Sequence, residues 1–190
     1  MKHKNIALLA LSSAVLSLMI MAAVNSPAFV FAKQKFKATM TGDEEVPSVT
    51  TKATGMASFT TQNNDTSIKY KLNITGLSDA TGAHIHSGKK GENGDVIVDL
   101  LKNSKNNPTK AGMAIRGNIT DSSLTGPMKG KTVGDLISAM NSGDTYTNVH
   151  TQKHPKGEIR GQIEASEAAG SNATSGMSMS GNGTSNMTGM

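Results

Sequence analysis

The sequence predicts an all-β domain, an antiparallel Greek-key-like β-sandwich of about seven to nine strands with one short helix at about residues 131–142. Three observations carry this expectation. Apolar and polar residues alternate along successive short runs, the period of a half-buried strand. Turn formers separate the runs: the chain holds 20 glycines and is rich in Thr, Ser and Asn, which favour turns and strands over helix interiors. The period lengthens to that of a helix at one place, where Val133, Leu136, Ile137 and Met140 fall on a single stripe.

Residues 1–32 read as a secretory leader. Lys2, His3 and Lys4 form a basic start, Ile6 to Val24 is almost wholly apolar, and Val30-Phe31-Ala32 fits a small-residue cleavage rule. The apolar run of about 19 residues also approaches the ~20 that span a bilayer, so an uncleaved anchor is the alternative and the one route to membrane contact.

The folded domain is expected over residues 33–164. Gln34–Thr41 alternates, with Phe36, Ala38 and Met40 on one face. Gly42 to Pro47 is a loop, because Pro47 cannot donate to a central ladder, and its Asp43, Glu44 and Glu45 are candidate cation ligands or plain solvated charge. Gly55–Thr60 and Ser67–Ile74 form a hairpin around Gln62–Asp65, with Ile68, Tyr70, Leu72 and Ile74 inward. A strand carrying His84 and His86 follows and ends at Ser87-Gly88, then a glycine-rich loop at Lys89–Gly94, then Asp95–Leu101. Lys102–Lys110 is a polar loop, Ala111–Thr120 a strand, and Asp121–Lys131 a loop again. Thr132 can cap the helix and Gly143 can end it. Thr145–Thr151 and Gly157–Glu164 are the last strands, the first with Tyr146, Asn148 and His150 on one face. Residues 165–190 are Ser, Gly, Asn, Thr, Ala and Met, a composition that cannot bury enough apolar surface to fold. Their methionines could bind Cu(I), though a biased surface tail explains them as well. Six N-x-S/T sequons, at Asn64, Asn73, Asn118, Asn172, Asn182 and Asn186, are glycosylation acceptors if the chain is exported.

Composition narrows the function classes. With no cysteine, disulfides, thiolate metal sites and thiol catalysis are excluded. The formal charge is +5, but Lys2 and Lys4 belong to the leader and no basic run exceeds a pair, so the sequence offers no nucleic-acid partner. No Gly-x-Ser-x-Gly elbow, phosphate-cradling loop or second placed carboxylate is present. Aromatic residues make up 3% of the chain and tryptophan is absent, which leaves no sugar-stacking platform.

The chemistry that remains lies in histidines. His84 and His86, spaced i, i+2 on a strand, share one face roughly 6.5–7 Å apart. If His150 joins them from another strand, three imidazoles suffice for a copper or zinc site with an open position. The competing expectation is a satisfied polar network joining the histidines to Glu44, Glu45, Asn148, Thr151, Glu158 and Arg160. No catalytic residue is assigned.

Four motifs occur in order: Met40-Thr41-Gly42-Asp43-Glu44-Glu45-Val46-Pro47, Gly82-Ala83-His84-Ile85-His86-Ser87-Gly88 with Gly91-Glu92-Asn93-Gly94, Tyr146-Thr147-Asn148-Val149-His150-Thr151, and Gly157-Glu158-Ile159-Arg160-Gly161-Gln162-Ile163. Together they resemble the CHRD domain, named for chordin and found in many exported microbial proteins. The resemblance spans about Phe36 to Ile163, and departs from the family's frequent Pro-Pro at Pro47-Ser48. It implies an exported or cell-surface β domain that acts as a binding or structural module toward an extracellular or envelope partner. The growth-factor ligand of chordin itself does not carry over to this small chain. The His-x-His plus distant histidine is also similar to the copper ligands of copper/zinc superoxide dismutases. That likeness would place an anion-attracting Arg160 near His84, His86 and His150, but the chain has no bridging histidine and no second His/Asp set.

Overall fold

The computed structural model describes residues 33–77, 79–105 and 114–166. Among the described residues there are nine strands: β1 (Lys35–Thr41), β2 (Thr54–Gln62), β3 (Ser67–Thr75), β4 (Ala80–Ser87), β5 (Val96–Asp99), β6 (Ala114–Ile119), β7 (Thr145–Thr151), β8 (Ile159–Gln162) and β9 (Glu164–Ser166). One α-helix, α1 (Val133–Asn141), precedes β7. The all-β expectation and the single helix both hold. The leader and the sequons at Asn172, Asn182 and Asn186 lie outside the described residues, as does most of the expected tail. Ala165 and Ser166, assigned to that tail by composition, instead sit in β9, paired with Phe36 and Lys35 of β1.

All the strand pairs are antiparallel, and the sheet runs β5-β4-β7-β8-β1-β2-β3-β6, with β9 beside β1. The two ends of this path meet. Ser104, just beyond β5, bridges Gly117 of β6, and the Tyr70 hydroxyl of β3 donates to the Leu100 carbonyl at 2.7 Å. The two layers of the expected sandwich are therefore one sheet wrapped around a common core.

Alternation decides what fills that core. Phe36, Ala38 and Met40 of β1, Ala57 and Phe59 of β2, and Ile68, Tyr70, Leu72 and Ile74 of β3 are all buried. Ala83 and Ile85 of β4, Val149 of β7 and Ile159 of β8 close the other side. Each fully buried large side chain contributes about 1.5–3 kcal/mol, so a core with few aromatic residues depends on the number of aliphatic ones. The α1 stripe of Val133, Leu136, Ile137 and Met140 is buried as its spacing requires. Thr132 caps α1, accepting from the Asp135 amide, while the Asp135 carboxylate accepts from the Thr132 amide.

β4, β7 and β8 bury both faces. Their inward residues join the core, yet His86, Tyr146, Asn148 and Arg160 on the outward face are also buried. The register stacks these residues in rows: His84 pairs with Asn148 and Asn148 with Arg160, while His86 pairs with Tyr146 and Tyr146 with Gln162. The 88–94 loop lies against this polar outer layer, as the hydrogen bonds below show.

Candidate metal centre

The strand register brings the three expected ligands to one place. His84 and His86 project from the outer face of β4, and His150 projects from β7 opposite Gly82. One ring nitrogen from each lies within 4.8 Å of the others, the one such cluster among the described residues. His84 Nδ1 is 3.0 Å from His150 Nε2. The arrangement depends on Gly82, since a Cβ there would sit 2.9 Å from His84 Cε1 and 3.5 Å from His150 Cδ2. His154, a spare candidate ligand by sequence, stands apart: its backbone amide donates to the Thr151 hydroxyl and its carbonyl accepts from Gly157.

Backbone carbonyls fix two tautomers. His86 Nδ1 is 3.0 Å from the Gly94 carbonyl and His150 Nδ1 is 3.0 Å from the Pro155 carbonyl. A carbonyl oxygen only accepts, so each Nδ1 carries the proton. The Nε2 of a neutral ring is then bare. Both bare Nε2 atoms lie 3.0 Å from the Asn148 side-chain oxygen. Carbonyl-anchored histidines of this kind are how metal-binding imidazoles are commonly oriented.

The electrostatics keep the rings neutral. Burial, followed by the neighbouring His150, pushes His84 down to about 4, with Asp99 opposing. Burial also lowers His86 and His150, against the upward pull of the Gly94 and Pro155 carbonyls respectively. Neutral imidazole is the form that binds a metal.

A second set of contacts holds the cover in place. The Arg160 guanidinium donates to the carbonyls of Lys89 and Glu92 at 3.2 and 2.7 Å, and to the Asn93 side chain at 3.2 Å. It also lies 3.4 Å over the Tyr146 ring, and Tyr146 stacks on His86 with ring centroids 4.8 Å apart. β7 lies between β4 and β8, so Tyr146 receives the histidine from one side and the arginine from the other. Gln162 donates to the Gly88 carbonyl and the Gly143 carbonyl.

These contacts revise the expected network. Arg160 is turned to the 88–94 loop behind Tyr146 rather than toward the histidines, so it does not take the anion-attracting position that the dismutase likeness implies. Thr151 and Glu158 bond to one another at 2.6 Å, and Glu158 takes a second hydroxyl from Thr51 at 2.7 Å. Burial pushes Glu158 upward, but the Thr151 and Thr51 hydroxyls with His154 and Lys153 outweigh it and the carboxyl ends below its usual range. Asn148 is the one member of the expected network that contacts the histidines directly. The three adjacent acids do not converge: Glu44 pairs with Lys90 at 3.0 Å, while Glu45 is buried with one carboxylate oxygen unpartnered. Burial raises Glu45 to about 7, with Arg160 opposing. Gly157 leaves room for Glu45, since a Cβ there would overlap the carboxylate, and its φ of +128° suits glycine.

Sequence reasoning did not foresee the roles of Tyr146, Gln162 or the carbonyls of Gly94 and Pro155. The glycine-rich spacing of the 88–94 loop was the available signal. Backbone carbonyls leave no mark of their own in a sequence.

The CHRD domain profile matches residues 36–163, from β1 to just past β8. A search of curated proteins found no match. The family match takes in nearly all of β1, the strands β2 to β8, the 88–94 loop and all three clustered histidines, and on it the chain belongs to the CHRD domain family.

Proposed function

We propose that this protein is an exported, cell-surface or secreted, non-enzymatic binding module, and that what it binds is a transition metal held by His84, His86 and His150. The observation that carries the reading is the pair of carbonyl-anchored rings whose bare Nε2 atoms converge beside His84. A tetrahedral ion with ligands at ~2.0–2.1 Å needs its nitrogens about 3.3–3.4 Å apart. The His84–His150 spacing is already close to this, and the widest spacing closes by small side-chain rotations. Three neutral imidazoles without thiolate or carboxylate suit copper first and zinc second, because copper heads the affinity order for nitrogen sites. Export rests on the leader-like residues 1–32. In an exported chain the sequons at Asn64, Asn73 and Asn118 are accessible, since all three side chains are exposed.

One observation favours a second reading, a histidine-stapled structural layer. An Asn148 amide turned to present its nitrogen would satisfy both Nε2 atoms with no ion. Thermal unfolding with Cu(II) or Zn(II), combined with elemental analysis of protein purified without chelator, separates the two. An ion at 100 times its dissociation constant stabilises by about 2.7 kcal/mol, roughly 10 °C for a domain of this size. Such a shift, abolished in a His84→Ala/His86→Ala variant, supports the metal reading. No shift and no bound metal refute it and leave the structural layer.

A further inference from the structure

The outer face of β1-β2-β3-β6 gathers lysines that are scattered in sequence. Lys35 pairs in register with Thr60, Thr60 with Lys69 and Lys69 with Asn118. The next outward row runs Lys37, Ser58, Lys71, Arg116 by the same pairings. Neighbouring strands are about 4.8 Å apart and alternate residues about 6.7 Å apart along a strand. Five cations therefore occupy a patch of roughly 7 by 14 Å on one flat surface.

Among the described residues, little opposes the lysine charge. All five cations are exposed, and none of the four lysines has an ion-pair partner among the described residues, where the recorded pair is Lys90–Glu44. Among the described residues, the one acid on the face is Glu164, at the β9 margin opposite Lys37. Lys71 lies directly opposite Arg116 in register.

From these rows we infer that this face is a docking surface for a linear acidic polysaccharide, independent of the histidine site. Charge complementarity supplies the attraction. The hydroxyls and amides between the cations, on Ser58, Thr60 and Asn118, offer hydrogen bonds that sugar hydroxyls can return. The face carries no aromatic ring on which a base would stack, as single-stranded nucleic acids require. Met56 is its one large apolar side chain among the described residues, too little to anchor in a bilayer. Asn73 and Asn118 share this face, so a glycan at either would cover it, and polysaccharide binding and modification at these two positions exclude one another.

The test uses purified, unglycosylated protein and polygalacturonate, with anionic phosphatidylglycerol vesicles and poly(dT) as the competing probes. Polygalacturonate binds at low salt and weakens markedly at about 0.15 M, where screening sets in over ~8 Å. A Lys35→Gln/Lys37→Gln/Lys69→Gln/Lys71→Gln variant, with an unchanged melting temperature, loses about tenfold or more in affinity. A control variant removing Lys129, Lys131 and Lys153, which lie off this face, stays within about twofold. Three results overturn the inference: no binding of polygalacturonate, equal losses in both variants, or a loss seen for vesicles or poly(dT) alone.

Discussion

Acidifying the metal-free protein sets two buried groups against each other. His84 is held at about 4 instead of 6.5, chiefly by burial. As pH falls from 6.5 to 4 the unfolded chain takes a proton that the folded chain refuses, so stability is lost across that window. At 1.36 kcal/mol per pKa unit the loss is about 3 kcal/mol, reduced to about 2 because solvent reaches the half-buried ring. Glu45 acts in the opposite sense. Burial raises it from 4.5 to about 7, so the folded chain takes its proton first and stability rises as pH falls from 7 to 4.5. That gain is also about 2–3 kcal/mol, and in the native protein the two nearly cancel. Glu45→Gln keeps the buried group neutral at every pH and deletes the gain. The variant is therefore expected to lose about 2 kcal/mol between pH 7 and pH 4, more steeply than the native protein. His86 and His150, also lowered by burial, add to the loss with the same sign. Adding His84→Asn to Glu45→Gln removes the His84 share of the loss and makes the profile shallower, with His86 and His150 still contributing. Urea unfolding in chelator across this range measures all three proteins. A Glu45→Gln profile parallel to the native one would refute the reasoning, because Glu45 would then not be held protonated in the fold.

Other expectations follow from single contacts. Gly82→Ala pushes a methyl against the His84 ring; it should weaken copper-induced stabilisation about tenfold in apparent affinity while costing about 1–2 kcal/mol in chelator, read by melting curves with and without metal. Arg160→Met removes three hydrogen bonds to the 88–94 loop and the contact with Tyr146; amide exchange should accelerate in that loop, with a global loss of about 2–4 kcal/mol in urea unfolding. Tyr70→Phe leaves the Leu100 carbonyl without its buried donor and should cost about 1–2 kcal/mol by the same measurement. Thr132→Ala removes the α1 cap and should cost about 1 kcal/mol, seen as faster exchange in the first turn of α1.

Much of the architecture was legible in the chain. Ser67–Ile74 alternates without a break, and β3 appears over Ser67–Thr75 with Ile68, Tyr70, Leu72 and Ile74 inward. The helix stripe and its Thr132 cap were readable because both are local. The last strand was read too long and as one piece. Ile163 separates β8 from β9, and the two short strands pair with different neighbours. A continuous alternation cannot show that change of partner. The candidate ligands were also legible, as His-x-His plus a histidine on another alternating strand. Their network was legible only in part: Arg160 and Glu158 share a face by alternation, but their length and the loops above them send the guanidinium to the 88–94 carbonyls and the carboxylate to Thr51 and Thr151.

The sequence by itself determined which face of each strand a residue occupies, because the side-chain period of two is a property of the local backbone. It thereby determined an aliphatic core, one capped helix and three histidines on outward faces. Only the tertiary structure decided which faces meet. His84 lies beside Asn148, and Lys71 beside Arg116, through registers joining strands distant in the chain. Those registers are set by core packing and turn geometry acting together, so a shift of one residue would turn every side chain to the other face. The same long-range choice laid the 88–94 loop against Arg160 and Gln162, anchored two of the histidines on carbonyls, and gathered dispersed lysines into one charged surface.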